Sequence, residues 1–583
     1  MATSLIDSDS LLAIDVGDTT TRAMLFDVVD GRYRFVAQGA APTTAGAPFK
    51  HIGEGVRQAL DALQALTGRV LVSPEEELIT PSASDGSGVD QIVATLSAGP
   101  VFKVVVAGLL EDISLESARR LAASTYAKVV DSLSLNDRRR LDARLDALLS
   151  HQPDMIIVAG GTDGGASQSV LKLLEPVELA GRMLPVEQQP EVLFAGNETL
   201  KEAAQARLKD NLPLHFAANL RPELDFEQLE PAQAALDDMF RARRSRQIPG
   251  VEELNTLAGG GLLPTSTALG RVVRYLSRAL KPDKGVLGID LGSSAATLAA
   301  AYNGELALGV YPQFGLGRGA PDFAESGALK DIMRWLPLPV EEGYVLDYLY
   351  TKALYPSSLP ATPEDLAIEG ALARQAIRGA LRRSAASIPE RWRQASGRAP
   401  GFDPILASGS VLTRLPKHAH SLLTLLDGIQ PFGVTTLVLD ANHLAPALGA
   451  AAAVNPLLAV QVLESNTFVN LGTVITPIAP VRAGTPVLRV RMKDDSGNET
   501  GYEIKQGRLE LLPLPLGKSA TLRLQPLHRA DIGMGGQGRG GSLKVSGGAL
   551  GVVIDARGRP LRLPSDPAKR RDLLQKWTWM LGG

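Results

Sequence analysis

Apolar and polar residues recur in an order that predicts one strand arrangement used twice. Residues 11–16 are an apolar run with Asp15 near its end, and Gly17-Asp18-Thr19-Thr20 is a turn. Residues 21–27 then resume as a strand, and Gly31 punctuates a third over 32–40. The same order returns at 284–290, with a small-residue turn, a strand over 297–302, an Asn303-Gly304 hairpin turn and a strand over 305–310. Nearly continuous apolar runs at 102–110, 155–159, 404–408 and 435–439, with another closing at Phe194, predict strands buried on both faces. Helical spacing marks 54–66, 115–133, 137–149 and 198–209, and later a helix ending near 425 and one over 446–454. Thr362-Pro363-Glu364-Asp365 opens a further helix, with proline at its first position and acids in its first turn.

From 468 to 563 the texture changes to short alternating runs separated by Gly, Pro and Asp, which predicts an all-β module. It contains a glycine-rich loop around Arg539 and is followed by a short basic helix at 568–580 carrying Trp577 and Trp579, expected to be buried on the module. The chain thus divides into an N-terminal lobe (1–220), a charged connector (221–283), a second lobe (284–455) and a β-rich C-terminal module (456–583).

Composition narrows the chemistry. With no cysteine, the chain has no disulfide, thiolate metal site, iron–sulfur ligation or cysteine nucleophile. Carboxylates, hydroxyls, backbone amides and bound ions must carry whatever it does. The net charge of −3 is unevenly spread: residues 482–576 hold 18 Lys/Arg against 9 Asp/Glu, a net of +9, leaving −12 on the remainder. A basic module on an acidic body suits an acidic partner. No aromatic RNA-reading pattern or zinc finger accompanies it, so nucleic acid is not expected. The apolar stretch at 444–463 is broken by Pro446, Asn455 and Pro456, and no basic segment precedes an apolar one at the N-terminus. A cytoplasmic protein without a transmembrane segment is the expectation.

The two Asp-x-Gly turns are the candidate chemistry. Glycines Gly17 and Gly292 let the backbone approach an anion closely, and the hydroxyls of Thr19, Thr20, Thr21, Ser293 and Ser294 can line phosphates. Asp15 and Asp290, each at a strand end, can hold Mg²⁺ directly or through water. Arg22 is placed to reach either a phosphate or Asp27, and Asp18 is expected to face solvent. Gly409-Ser410, between a strand and a helix, can pack against an adenosine. Two such hairpins facing one another would clamp the triphosphate of ATP. The histidines suggest no metal site, since His418 and His420 point to different helix faces.

Together these features resemble the actin / sugar kinase / heat-shock chaperone superfamily: an α/β, two-lobed, RNase H-like ATP-binding fold. Within it, IDVGDTTTRAMLFD (14–27), MIIVAGGTDGG (155–165), FAGNETL (194–200), EDLAIEGALARQAIRGAL (364–381), PILASGSVL (404–412) and LLDGIQPFGVTTLVLDANHLAPALGAAA (425–452) resemble the MutL-type accessory family of cobalamin-dependent glutamate mutase. The resemblance implies binding of ATP and Mg²⁺ and remodelling or reactivation of a protein partner, a cobalamin-dependent mutase, with an oligomer also open. It also implies a role in the nucleotide site for Gly160 and Gly161, and for Asp163 either orientation of the attacking water or a plain turn hydrogen bond. The second turn departs from the family pattern, with Ser293 for a glycine, Ala295 and Ala296 for threonines, and Thr297 for an aspartate. A slow or inactive ATPase, serving as a non-catalytic scaffold that assembles through the β module, is therefore the alternative reading. Small-molecule kinase ranks below both, because no substrate-binding insertion between the lobes is legible.

Overall fold

The computed structural model describes residues 9–280, 283–325, 327–389, 392 and 401–582. Its first sheet begins as the meander expected from the alternation: β1 (Leu11–Val16), β2 (Thr20–Val29) and β3 (Arg32–Pro42) run antiparallel. A fourth strand, β4 (Gln91–Leu96), lies parallel to β1. Its alternation is masked because all but one of its residues are buried.

The chain then leaves this sheet. Strands β5 (Phe102–Gly108), β6 (Ala127–Ser134), β7 (Met155–Val158), β8 (Glu191–Phe194) and β9 (Leu214–Phe216) form a separate all-parallel sheet in the order β6-β5-β7-β8-β9. The buried runs near 102 and 155 are strands, as their composition predicts, but they belong to this insertion rather than to the first lobe's sheet. A strand buried on both faces reads the same in either sheet, because pairing is decided by distant partners. The helix expected over 115–133 stops at Ala122, and residues 127–134 pair in parallel with β5 instead. The first sheet is completed by β10 (Leu263–Pro264), parallel to β4, drawn from the stretch expected to be a connector.

The second sheet repeats the order of the first. β11 (Gly285–Leu291), β12 (Ala296–Tyr302) and β13 (Glu305–Tyr311) form the meander, with β14 (Phe402–Ser408) and β15 (Gly433–Leu439) parallel beyond β11. Both lobes thus read 3-2-1-4-5, an actin-like, two-lobed arrangement. The helices that follow the fifth strands, Thr265–Ala279 and Leu444–Ala451, pack against each other at the junction of the lobes. They cross so closely that a Cβ on Gly449 would stand 1.9 Å from the Ala268 carbonyl oxygen.

The C-terminal β region is continuous with the second lobe. β16 (Val469–Thr476) pairs with β15, so that the sheet grows to eight strands. β17 (Pro486–Asp494), β18 (Glu499–Lys505), β20 (Ser519–Pro526) and β21 (Gly541–Ser546) form a separate antiparallel sheet. β19 (Leu509–Leu512) and β22 (Val552–Asp555) return to extend the large one. The join is fastened by buried charge: Arg557, fully buried, bonds Asp555 at 2.9 Å and Asp427 at 2.7 Å and lies 4.6 Å over the Trp577 ring. Trp577 is therefore buried against the second lobe as well as the module, while Trp579 is 70% exposed. Among the described residues no helix is long and apolar enough to cross a membrane.

Candidate functional site

The two turns adopt the same local structure because each is a tight reversal between antiparallel strands. Gly17 N–H donates to the Thr20 carbonyl, and Gly292 N–H to the Ala295 carbonyl, both at 3.0 Å. Asp15 and Asp290 therefore occupy matching positions at the ends of β1 and β11, opposite Arg22 and Thr297 respectively. The turns meet across one cleft whose floor, about 60 Å³, is lined by Asp15, Asp290, Tyr126, Ser410 and His443 among others.

Asp15 is 1% exposed and fully engaged. Its Oδ1 accepts from Thr95 Oγ1 at 2.7 Å and Thr265 Oγ1 at 3.1 Å, and its Oδ2 from Arg22 at 3.2 Å. Asp290 differs: its Oδ1 is buried and accepts no hydrogen bond among the described residues. Between them stands His443, in left-handed backbone conformation just before helix Leu444–Ala451. Its Nε2 is 3.6 Å from Asp15 Oδ2 and its Nδ1 3.8 Å from Asp290 Oδ1, while Nδ1 also bonds Ser408 Oγ at 2.8 Å. The preceding Asp440 is buried and accepts the N–H groups of Leu444 and Ala445, which fixes the turn. Burial pushes the Asp440 carboxyl up, against the pull of His443. Burial also raises the Tyr126 phenol, reinforced by the nearby Asp290 and Asp15.

Above the floor the cleft opens into a cavity of about 290 Å³ lined by Thr19, Thr20, Gly292, Ser293 and Ser410 on one side and by residues 352–369 on the other. Gly409 has φ +107°, and a Cβ there would meet the Leu291 carbonyl oxygen at 2.3 Å, so only glycine lets this turn close on β11. Lys352 and Glu369, both buried, are ion-paired at 2.6 Å, and Tyr348 donates to the same carboxylate at 2.8 Å. Arg414, exposed at the mouth, is unpaired among the described residues.

The structure thus gathers Asp15, Gly17, Thr19, Thr20, Arg22, Asp290, Gly292, Ser293, Ser294, Gly409 and Ser410 around one cleft. Four expectations need correction. Thr21 does not line the cleft: it is buried, its hydroxyl 2.9 Å from that of Thr43, because it is the residue at which β2 turns inward. Arg22 pairs with Asp15 rather than with Asp27, which is taken by Arg69 at 2.6 Å. Gly160, Gly161 and Asp163 lie at the carboxyl edge of the inserted sheet and are absent from the cleft lining. Asp163 there accepts from Glu198 N–H and from Asn219 Nδ2. Asp18, expected in solvent, has a side chain only 4% exposed and accepts from Ser293 Oγ. His443, Thr95, Thr265, Lys352 and Glu369 were not legible beforehand; Asn442-His443 before an apolar alanine-rich run was the available signal for a helix-start residue.

Residues 11–467 match the family model described as MutL protein. The chain belongs to the MutL protein family. Within it, Protein MutL of Clostridium tetanomorphum is 23% identical over 217 residues, 36% of this chain and 45% of that relative, so the match spans less than half of the relative's length. Among solved structures, the family member is similar to nucleotide-free acetone carboxylase, at 14% identity over 86% of this chain and 82% of that one, with a TM-score of 0.32. A ROK family glucokinase from Streptomyces griseus in complex with glucose and AMPPNP gives 12% identity over 76% and 98%, with a TM-score of 0.27. Component A of (R)-2-hydroxyglutaryl-CoA dehydratase from Acidaminococcus fermentans gives 9% over 78% and 97%, with a TM-score of 0.24. These scores are too low to bear on function.

Proposed function

We propose that this MutL-family chain is an accessory protein that binds ATP with Mg²⁺ and uses lobe closure to remodel or reactivate a protein partner of the cobalamin-dependent mutase class. The observation that carries the reading is the pair of matching aspartates, Asp15 and Asp290, held on opposite sides of His443 at the base of one cleft. The unsatisfied buried Oδ1 of Asp290 fits a hard cation, which takes one or two carboxylates and keeps water and phosphate oxygens as its other ligands. Bound there, the ion would neutralise the phosphates of the nucleotide.

The chain's own residues do the rest. Thr19, Thr20 and Ser293 offer hydroxyls to the phosphates, Gly409-Ser410 seats the nucleoside against β11, and the Lys352–Glu369 pair faces it from the other wall. Since the helices Thr265–Ala279 and Leu444–Ala451 cross at the lobe junction, a ligand touching both turns biases the lobes toward closure. The outer face of the four-stranded sheet, with Arg489, Arg491, Lys493, Arg523 and Lys544 exposed, supplies a basic surface for the partner.

A second reading, a nucleotide-binding scaffold without turnover, is favoured by one arrangement. Ala295 and Ala296 leave the second turn short of hydroxyls, and Asp163 is not in the cleft to orient water. ATP binding and turnover measured in the intact protein and in Asp15→Ala separate the readings. Binding and turnover that Asp15→Ala abolishes support the ATPase, binding without turnover supports the scaffold, and no binding overturns both.

A further inference from the structure

The inserted parallel sheet has an order, β6-β5-β7-β8-β9, that places a topological switch between β5 and β7. The chain passes from β5 to one side and then returns to the other, so the loops after these strands diverge and leave a crevice at the carboxyl edge. The loop leaving β7 there is Gly160-Gly161-Thr162-Asp163-Gly164-Gly165, with positive φ at Gly160, Gly161 and Gly164. It leads into the sixteen-residue helix Gln168–Met183.

That helix begins without a cap. Ser167 precedes it, but its hydroxyl donates to the Gly165 carbonyl instead of accepting from the helix, and the first turn holds no acidic residue. The N–H groups of Gly161 and Thr162 donate to nothing among the described residues. An independent observation lies directly beneath. Asn197 is fully buried, its Oδ1 accepts from Gly164 N–H and from Thr199, and its Nδ2 has no partner among the described residues. Its Cβ is only 3.1 Å from where a Cβ on Gly161 would be, so the amide sits under the glycine loop. A buried donor left unmade is costly, and an acceptor reaching it recovers that cost.

Unsatisfied donors thus gather at this edge, and the helix end adds a partial positive charge. The two acids nearby each have one oxygen engaged. Asp163 accepts from Glu198 N–H at 3.0 Å and from Asn219 Nδ2 at 2.8 Å, and Glu198 pairs with Lys201 at 3.0 Å. We propose that the carboxyl edge of the inserted sheet is a second ligand site, taking an oxyanion of the phosphate class on the 160–165 loop and the N-terminus of helix Gln168–Met183. It is separate from the cleft between the lobes and does not depend on what binds there.

Pyrophosphate tests this on the full-length protein, by equilibrium dialysis together with hydrogen exchange over 159–170. Ser293→Asp places a carboxylate in the interlobe cleft and excludes pyrophosphate from it. This variant is expected still to bind one pyrophosphate, with slowed exchange over 160–168. Adding Ser167→Asp caps the helix, so melting temperature holds or rises, yet the new charge weakens binding at least about tenfold. Ser167→Asn gives the same cap without charge and keeps binding, which separates repulsion from a folding defect. The proposal is overturned if Ser293→Asp binds no pyrophosphate, if protection appears elsewhere, or if Ser167→Asp binds as Ser167→Asn does.

Discussion

Asp18 and Ser293 hold the same position in the two phosphate-type turns, and they touch each other: Ser293 Oγ donates to Asp18 Oδ2 at 3.1 Å. Arg318 adds a charge 3.5 Å from the same oxygen. The lobes are thus latched through the groups an incoming phosphate needs. Asp18→Ala frees Ser293 and removes a negative charge beside the phosphates. ATP affinity should rise about tenfold, the order expected for losing one hydrogen bond to a charged group. Calorimetric titration of both proteins measures it, and unchanged or weaker affinity would show that Asp18 is no latch.

His443 should govern the response to Mg²⁺ rather than the fold. His443→Asn keeps a residue that tolerates left-handed backbone but removes the imidazole between Asp15 and Asp290. The melting temperature is expected to stay close to wild type, while the Mg²⁺ concentration needed for half-maximal ATP binding shifts several-fold. A magnesium titration at fixed ATP is the measurement.

Asp237, on helix Glu230–Gln247, accepts from Thr267 Oγ1 at 3.0 Å on the helix at the lobe junction. Desolvation pushes its carboxyl up to about 7, against the Thr267 bond and the nearby Arg271 and Arg241. Because the folded value is raised, the stabilising contribution is present below the unfolded carboxylate range and is lost as pH rises through about 7. Asp237→Asn should therefore melt higher than wild type at pH 8, with the gap closing toward pH 5. A pH-independent difference would contradict this.

The buried Arg557–Asp555–Asp427 cluster should anchor the C-terminal strands. Arg557→Ala leaves two fully buried carboxylates under-compensated and is expected to cost about 3–5 kcal/mol, read from denaturant unfolding. Burial alone would raise Asp555, but Arg557 and Arg559 outweigh it and hold the carboxyl well below its usual range. Wild-type stability should accordingly fall as the solution is acidified below the ordinary carboxylate range, and Arg557→Ala should lose much of that acid dependence.

On the outer sheet face Arg491 lies directly opposite Arg523. Like charges in that register are unfavourable, so Arg523→Thr should raise stability by roughly 0.2–1 kcal/mol. If the face docks an acidic partner, the same change weakens that binding. Heparin affinity chromatography beside thermal melting reads both, and earlier elution with a higher melting temperature is the expected pair of results.

Local patterns were enough to locate both Asp-x-Gly hairpins, the Gly409-Ser410 turn and the capped helix at Thr362. Each of these depends on residues a few positions apart, where turn chemistry and side-chain period act directly. The alternation after 468 likewise announced strands. What local pattern could not supply was pairing. Whether residues 102–108 and 155–158 join the first lobe or an insertion depends on the parallel partners they find, and every buried parallel strand presents the same apolar run. For the same reason β16 and β22 looked like parts of a separate module but extend the second lobe's sheet. The site divides in the same way: the aspartates were visible in their turns, whereas the Asp18–Ser293 latch, His443 between Asp15 and Asp290, and the removal of Asp163 from the cleft exist only once folding brings together residues far apart along the chain.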